Sequence, residues 1–256
     1  MIKKFYLFTY KDYPNVYYSD RDVFKSKIFN SLYSKLGDNS FKWRVRKNFF
    51  FSFLFERFFR KKIQVPNEKV KVVYMGYDSM VFFELDDSLE VKKVFRKTKG
   101  DENFVEEPFL GYTPDIFDVE KFSKVFDVLC DFFQKHWLDV KKDKEKLHGD
   151  LVPSNICIKG GKITLIDAKR IYSDSIIFDH LYFYCYAYRK IEGRKKISGF
   201  EREKLLKILK DLLSKSFDPK DKKLILKEVE NLKLKKTPFR NFDSYVKKFV
   251  LIFTFQ

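Results

Sequence analysis

Four side chains that could transfer a proton or hold a metal ion lie in the second half of the sequence. His148, Asp150 and Asn155 stand in the segment His148-Gly149-Asp150-Leu151-Val152-Pro153-Ser154-Asn155, and Asp167 follows after two short apolar runs. A carboxylate can take a proton from a hydroxyl group, and carboxylate and carboxamide oxygens suit Mg²⁺. Each residue alone would more often be a turn residue or a helix cap. Their order and spacing together favour one common site.

Two predicted strands must position Asp167 relative to this segment. Residues 156–159 and 162–166 are short strand-like runs joined at Gly160-Gly161, a pattern that predicts a hairpin. Upstream, residues 120–137 predict an amphipathic helix, and the chain from about Ile176 is predicted to be mainly helical, with a helix boundary at Asp218-Pro219. The apolar stripe of the upstream helix comprises Phe122, Val125, Phe126, Leu129, Phe132, Phe133 and Trp137.

The first third of the sequence is predicted to be rich in strands. Residues 41–46 alternate apolar and basic side chains, and residues 70–75 and 80–85 predict a hairpin. Between them, residues 48–62 predict a phenylalanine-rich helix with Asn48 as its N-cap. Strands followed by helices indicate an α+β protein with two lobes, which we place at residues 1–85 and 86–256.

The residues around Asp150 and Asp167 resemble a known signature. His148-Gly149-Asp150 with Asn155, followed by Ile166-Asp167, is similar to the H-G-D-x-x-x-x-N and I-D motifs of the protein-kinase-like superfamily. The resemblance is nearest to the branch of aminoglycoside phosphotransferases and bacterial lipopolysaccharide core kinases. Asp167-Ala168-Lys169-Arg170 resembles the I-D-x-x-R of lipopolysaccharide kinases, and Phe178-Asp179-His180-Leu181-Tyr182-Phe183 resembles a segment that follows the metal aspartate in small-molecule phosphotransferases. The resemblance to this superfamily is specific over residues 147–184.

The resemblance implies a two-lobed kinase-like fold and an ATP-dependent, Mg²⁺-dependent phosphotransferase. Asp150 would orient the acceptor hydroxyl and take its proton, because phosphoryl transfer depends mainly on positioning and charge neutralisation. Asn155 and Asp167 would hold Mg²⁺. His148 would order the loop, and Asp179 would brace it.

In the first lobe the resemblance implies that backbone near Glu84 contacts adenine and that Glu56 is an ion-pair acid. The phosphate-binding basic residue would be Lys42, Arg44, Arg46 or Lys47, and we favour Arg46 because a guanidinium can clamp phosphate. The sequence departs from the family pattern here, since it has neither a V-A-I-K motif nor a glycine-rich loop. An alternative register, with a strand at residues 89–97 carrying Lys92 or Lys93, is disfavoured because too few residues would separate it from Asp150. These departures leave an inactive pseudokinase as an alternative.

The charge balance bears on the substrate. Fifty-three basic and 36 acidic residues give a formal net charge of +17, which attracts polyanions. We expect the acceptor to be an anionic sugar of a membrane glycolipid, such as the lipopolysaccharide core, with the basic ends of the helix at 48–62 favouring peripheral contact with the inner membrane. The more common role for such a helix is that most of its phenylalanines pack against the sheet of the first lobe. One alternative is a kinase of a soluble small molecule such as an aminoglycoside, but antibiotic-binding sites in that family tend to be acidic, which fits a basic chain poorly. The other alternative is a non-catalytic adaptor. Nucleic acid is not the expected partner because no RNP-type motif is present.

Cysteine usage and the N-terminus indicate the compartment. Three scattered cysteines form no C-x-x-C pair, so we expect buried thiols in a reducing compartment. The first ten residues lack a long apolar core and a small-residue cleavage site. We therefore expect no signal peptide and a cytoplasmic location.

Overall fold

The expected α+β class is observed, with an antiparallel sheet in the N-terminal part of the chain and mainly helices in the C-terminal part. The computed structural model describes residues 1–7, 15–29, 32, 60–76, 78–167, 172–194 and 197–254. The chain separates into two units, Met1–Leu110 and Gly111–Gln256. Each unit contains its own cluster of buried apolar side chains.

The described residues of the first unit form a seven-stranded antiparallel sheet with the strand order β3-β1-β2-β4-β5-β6-β7. The strands are β1 Ile2–Leu7, β2 Asn15–Tyr18, β3 Arg60–Gln64, β4 Val70–Met75, β5 Ser79–Leu85, β6 Val91–Thr98 and β7 Val105–Glu107. Side chains alternate between the two faces of a strand, and Phe5, Val73 and Phe82 are fully buried on one face. The hairpin predicted at residues 70–75 and 80–85 is confirmed as β4 and β5.

Two further strands continue this sheet beyond the lobe boundary that the sequence suggested. The Asp86 N–H donates to the Glu90 carbonyl at 3.0 Å, which closes a turn from β5 into β6. Strand β7 then pairs with β6. The division between units therefore lies after Leu110 instead of after Leu85. Strand β6 also occupies nearly the range of the disfavoured alternative at residues 89–97.

The last residues of the helix predicted at residues 48–62 form strand β3 instead. Residues 60–62 pair with β1, Lys62 opposite Lys4, so the helix prediction is wrong there. Ile63 is buried while Lys61 and Lys62 are exposed, which suits a strand with one face on the core. The remainder of that helix and the strand predicted at 41–46 lie outside the described residues. The same holds for the candidates Lys42, Arg44, Arg46, Lys47 and Glu56.

The second unit combines helices with one small hairpin. Its described helices are α1 Val119–Lys142, α2 Phe178–Glu192, α3 Gly199–Lys215, α4 Lys222–Glu230 and α5 Phe242–Thr254, and its strands are β8 Ile156–Lys159 and β9 Lys162–Leu165. The predicted hairpin is confirmed, and Gly160 and Gly161 close it with φ of 54° and 74°. The predicted helix at 120–137 is confirmed and runs longer, because Asp118 caps the N–H of Lys121 and the basic residues Lys141 and Lys142 suit its C-terminal end.

Helix α2 is the central element of this unit. It packs against α3 and α5, and most of its residues are buried, including Phe178, Leu181 and Cys185. A helix that is apolar on most faces must be surrounded by other elements. This burial fixes the position of Asp179, which lies in its first turn.

The three cysteines are buried and free, as expected from their scattered positions. Burial raises the pKa of Cys130 to about 11 and raises the pKa of Cys185 further, so both thiols stay protonated. Among the residues that the structure describes, no helix has the length and apolar character needed to cross a lipid bilayer.

Candidate active site

The Asp179 carboxylate binds the backbone at the start of the predicted catalytic loop. Its Oδ2 atom accepts from the His148 N–H at 2.7 Å, and its Oδ1 atom accepts from the Gly149 N–H at 2.8 Å. The side chain is fully buried. Burial alone would raise the pKa of Asp179, but the hydrogen bond and charge of His136 together with the two amides hold it below its ordinary value. Asp179 is therefore an ionised group that fixes two consecutive amides of the loop.

His136 supplies a third hydrogen bond to the same carboxylate and was missed by the sequence analysis. Its Nε2 atom lies 2.8 Å from Asp179 Oδ2, and both groups are buried. An ionised carboxylate can only accept, so His136 Nε2 carries the proton in this contact. The available signal was a polar residue on the buried face of α1, three residues after Phe133 and four before Val140.

His148 connects the loop to the residue before Asp167. Its Nε2 atom lies 2.8 Å from the Ile166 carbonyl, which can only accept, and its Nδ1 atom accepts from the Asp150 N–H at 3.3 Å. These two contacts define a neutral ring with the proton on Nε2. His148 thus holds Asp150 from one side and the end of β9 from the other.

Asn155 closes the loop and makes the second connection to the same strand end. Its Nδ2 donates to the Asp150 carbonyl at 2.9 Å, and its own carbonyl accepts from the Ile166 N–H at 3.0 Å. The side chain is buried, and its Oδ1 atom lies 3.5 Å from the Ser154 hydroxyl. An amide oxygen is a suitable ligand for Mg²⁺.

Asp150 lies between these two anchored ends and is partly exposed. Burial raises the pKa of both Tyr182 and Tyr186, and the negative charge of Asp150 adds to that effect in each case. The Asp150 carboxylate therefore lies within electrostatic range of two tyrosines on α2.

Asp167 has an exposed side chain and a backbone φ of 57°, in the left-handed region. Aspartate tolerates this conformation better than most residues, at a cost of about 1–2 kcal/mol. Such strain persists only where surrounding contacts impose it, and here the preceding residue, Ile166, is held at both its N–H and its carbonyl. No described residue forms a hydrogen bond or an ion pair with its carboxylate.

Five predicted residues thus lie in one hydrogen-bonded assembly: His148, Asp150, Asn155, Asp179 and, through Ile166, Asp167. The oxygen donors of Asn155 and Asp167 fit Mg²⁺, which takes one or two protein oxygens beside phosphate oxygens. In the described part of the chain, no cluster of three histidine, cysteine or acidic side chains could hold a metal by itself.

Glu84 lies in the first unit, and its role near adenine stays a prediction. It lies in β5 between two strands, opposite Val70 of β4 and Lys93 of β6, and its buried carboxylate accepts from Asn67 at 2.9 Å. The segment that connects the two units is reached only after β7. Lys93, the alternative phosphate-binding residue, pairs with Glu106 at 3.0 Å across β6 and β7.

Comparison of this chain with protein-family models, with curated proteins and with solved structures gives no match in any of the three.

Proposed function

We propose that this chain is an ATP-dependent phosphotransferase of the protein-kinase-like type, acting on a hydroxyl of a sugar. The observation that carries the proposal is the pair of connections from the loop 148–155 to Ile166. They join the backbone of Asp150 to His148 and Asn155, and they join both of these residues to Ile166, which precedes Asp167. Asp150 as proton acceptor, with Asn155 and Asp167 as oxygen ligands, would supply the groups that phosphoryl transfer requires.

In the proposed reaction, the acceptor oxygen forms a bond to the γ-phosphorus of ATP while the bond from that phosphorus to ADP breaks. Asp150 takes the proton of the acceptor hydroxyl. Asn155 Oδ1 and the Asp167 carboxylate would hold Mg²⁺, which supplies neutralisation of phosphate charge when bound. Asp179 and His148 keep the loop in place, so these groups need little reorganisation during transfer.

For the acceptor, we propose an anionic sugar of a membrane glycolipid such as the lipopolysaccharide core, phosphorylated at the inner face of the cytoplasmic membrane. The formal net charge of +17 supports an anionic substrate. A soluble cationic acceptor, such as an aminoglycoside, would be repelled by the same charge.

The test is transfer of radiolabelled phosphate from ATP to membrane extract, to purified sugars and to aminoglycosides. Asp150→Asn should lower transfer by at least about a hundredfold, because general-base catalysis contributes that much or more. Asp131→Asn, an exposed substitution on α1, is the matched control. Transfer by Asp150→Asn above about a tenth of the wild-type rate would remove Asp150 from its proposed role.

Nucleotide binding separates an enzyme from an inactive relative. An active kinase should show a thermal shift with ATP that depends on Mg²⁺. If neither transfer nor such a shift occurs, the chain is a non-catalytic adaptor and the proposal is wrong.

A further inference from the structure

One face of α2 runs from the catalytic loop to a group of cations. Asp179, Tyr182, Tyr186, Arg189 and Lys190 are spaced at i, i+3, i+7, i+10 and i+11, which places them within about 100° of the helix circumference. Asp179 binds the backbone that precedes Asp150. The other four residues therefore extend along α2 on the side of the loop, over roughly 12 Å.

Aromatic rings cover this face. Tyr182 lies 5.3 Å from Tyr172 and 6.3 Å from each of Tyr186 and Phe239, measured between ring centroids. Tyr182 is buried, but Tyr172, Tyr186 and Phe239 are half-buried and keep part of their surface exposed. Flat aromatic surfaces with hydroxyl groups can receive both the C–H face and the hydroxyls of a sugar ring.

Three cations rest on these rings. The Arg189 guanidinium lies 4.6 Å from the centre of Phe239, Lys190 Nζ lies 5.4 Å from Tyr186, and Lys236 Nζ lies 5.2 Å from Tyr172. Ring contacts of this kind contribute only about 0.5–1 kcal/mol at exposed sites.

None of these three cations lies within ion-pair distance of a carboxylate in the described part of the chain. Two other lysines do have acidic partners: Lys235 pairs with Asp174 at 2.7 Å, and Lys248 pairs with Glu192 at 2.7 Å. The three rings that these cations contact all lie within 6.3 Å of Tyr182. Cations grouped in this way without acidic partners repel one another, and an anion bound among them would relieve that repulsion.

We propose that the surface formed by Tyr172, Tyr186, Arg189, Lys190, Lys236 and Phe239 is the acceptor subsite and binds a phosphorylated saccharide. The three cations take the phosphate group, and the exposed aromatic faces take the sugar ring. This inference rests on the proposed function, because the bound molecule is an acceptor only if Asp150, in the loop that Asp179 of this helix face holds, is the proton acceptor. The combination of aromatic faces with cations favours a sugar phosphate over a free inorganic anion.

The test measures equilibrium binding without ATP, using glucose 6-phosphate, glucose and inorganic phosphate as separate probes in ligand-observed NMR titrations. Wild-type protein should bind glucose 6-phosphate more tightly than either of the other two. The triple variant Arg189→Gln, Lys190→Gln, Lys236→Gln should weaken this binding by about tenfold or more, since hydrogen bonds to charged groups are lost.

The matched control is Lys204→Gln, Lys207→Gln, Lys210→Gln on α3. It removes the same charge from exposed positions, and Lys204 also rests on a ring, that of Phe200. Control binding should stay within about twofold of wild type, because distant surface charges are screened by salt. A second variant, Tyr186→Leu, should remove the advantage of glucose 6-phosphate over phosphate.

Equal losses in both triple variants, or no loss in either, would overturn the subsite. So would binding of phosphate alone as tightly as glucose 6-phosphate, or equally cation-dependent binding of a single-stranded oligonucleotide. The proposed function is tested separately, because Asp150→Asn should abolish transfer while preserving binding of glucose 6-phosphate. Cation-dependent binding without any phosphate transfer would support the subsite and refute the proposed kinase activity. Transfer that the triple variant does not reduce would support the kinase activity and refute the subsite.

Discussion

Asp179→Asn is the most direct test of the hydrogen bonds that hold the start of the loop 148–155. The substitution preserves the size of the side chain but replaces one accepting oxygen with an NH₂ group. The native carboxylate accepts two hydrogen bonds at Oδ2, from His136 and His148, and one at Oδ1, from Gly149. The new amide keeps most contacts if its oxygen occupies the Oδ2 position. Its NH₂ group then faces the Gly149 N–H.

The cost follows from this arrangement. A buried N–H without an acceptor costs about 1–3 kcal/mol, and the two remaining bonds each weaken by about 1 kcal/mol when the acceptor loses its charge. Relief of the burial of that charge offsets part of the sum. We expect a net loss of about 2–4 kcal/mol in the free energy of unfolding of the second unit.

Urea denaturation at neutral pH measures this loss through the fluorescence of Trp137, which is buried in the second unit, in a Trp43→Phe background. Asp174→Asn is the control, because its exposed ion pair with Lys235 is worth less than about 1 kcal/mol. A loss for Asp179→Asn no larger than the control would refute the reasoning.

The pH dependence gives a second check. The pKa of Asp179 is lowered in the folded state, so its contribution is present above the unfolded pKa of about 4 and is lost as pH falls through the lower folded pKa. The difference between wild type and Asp179→Asn should therefore shrink below about pH 4.

Three further predictions concern single residues. Without nucleotide, Asp167→Gly should unfold at or above the wild-type temperature, because it relieves about 1 kcal/mol of strain at φ 57°. It should nevertheless lose the Mg²⁺-dependent rise in unfolding temperature that ATP produces. An unchanged rise would show that Asp167 is not part of the proposed metal site. Burial, with the charge of His136, lowers the pKa of His180 to about 3, so the stability of the wild type should fall as pH drops from about 6.5 towards 3, by at most about 1.4 kcal/mol per pH unit. Urea midpoints for His180→Gln should depend less steeply on pH over this range. An equal pH dependence in the two proteins would refute the assignment. Gly111→Ala should lower the free energy of unfolding, measured by urea denaturation, by about 3 kcal/mol or more, because a Cβ at φ 117° would overlap the Ile158 carbonyl group. Gly199→Ala, whose Cβ would meet no atom within 4 Å, should lower it little. Similar losses in the two variants would contradict this reasoning.

Local pattern predicted much of the second unit. The helix at 120–137 and the hairpin at 156–166 depend on periodicity and on turn residues that lie within a few positions of each other. The same holds for β4 and β5. The grouping of Asp150, Asn155 and Asp167 also followed from sequence, since one short hairpin separates the first two from the third.

Where the sheet ends was decided by tertiary structure. Residues 91–98 form a strand because β5 offers a pairing edge and Val94 and Phe95 become buried. Their sequence mixes these residues with four lysines and arginines, and it gave no strong signal of its own. A strand forms its backbone hydrogen bonds with neighbouring strands and none within itself, so its presence is not a local property.

The contacts that hold the candidate site are the other part that only the tertiary structure decided. His136 meets Asp179 across 43 residues, and Asp179 meets the amides of His148 and Gly149 across 31 and 30 residues. Periodicity indicates which face of a helix is buried, but it does not indicate which polar groups meet there. Helix packing brings the two histidines and the carboxylate together, and the cost of leaving buried polar groups unpaired fixes their hydrogen bonds.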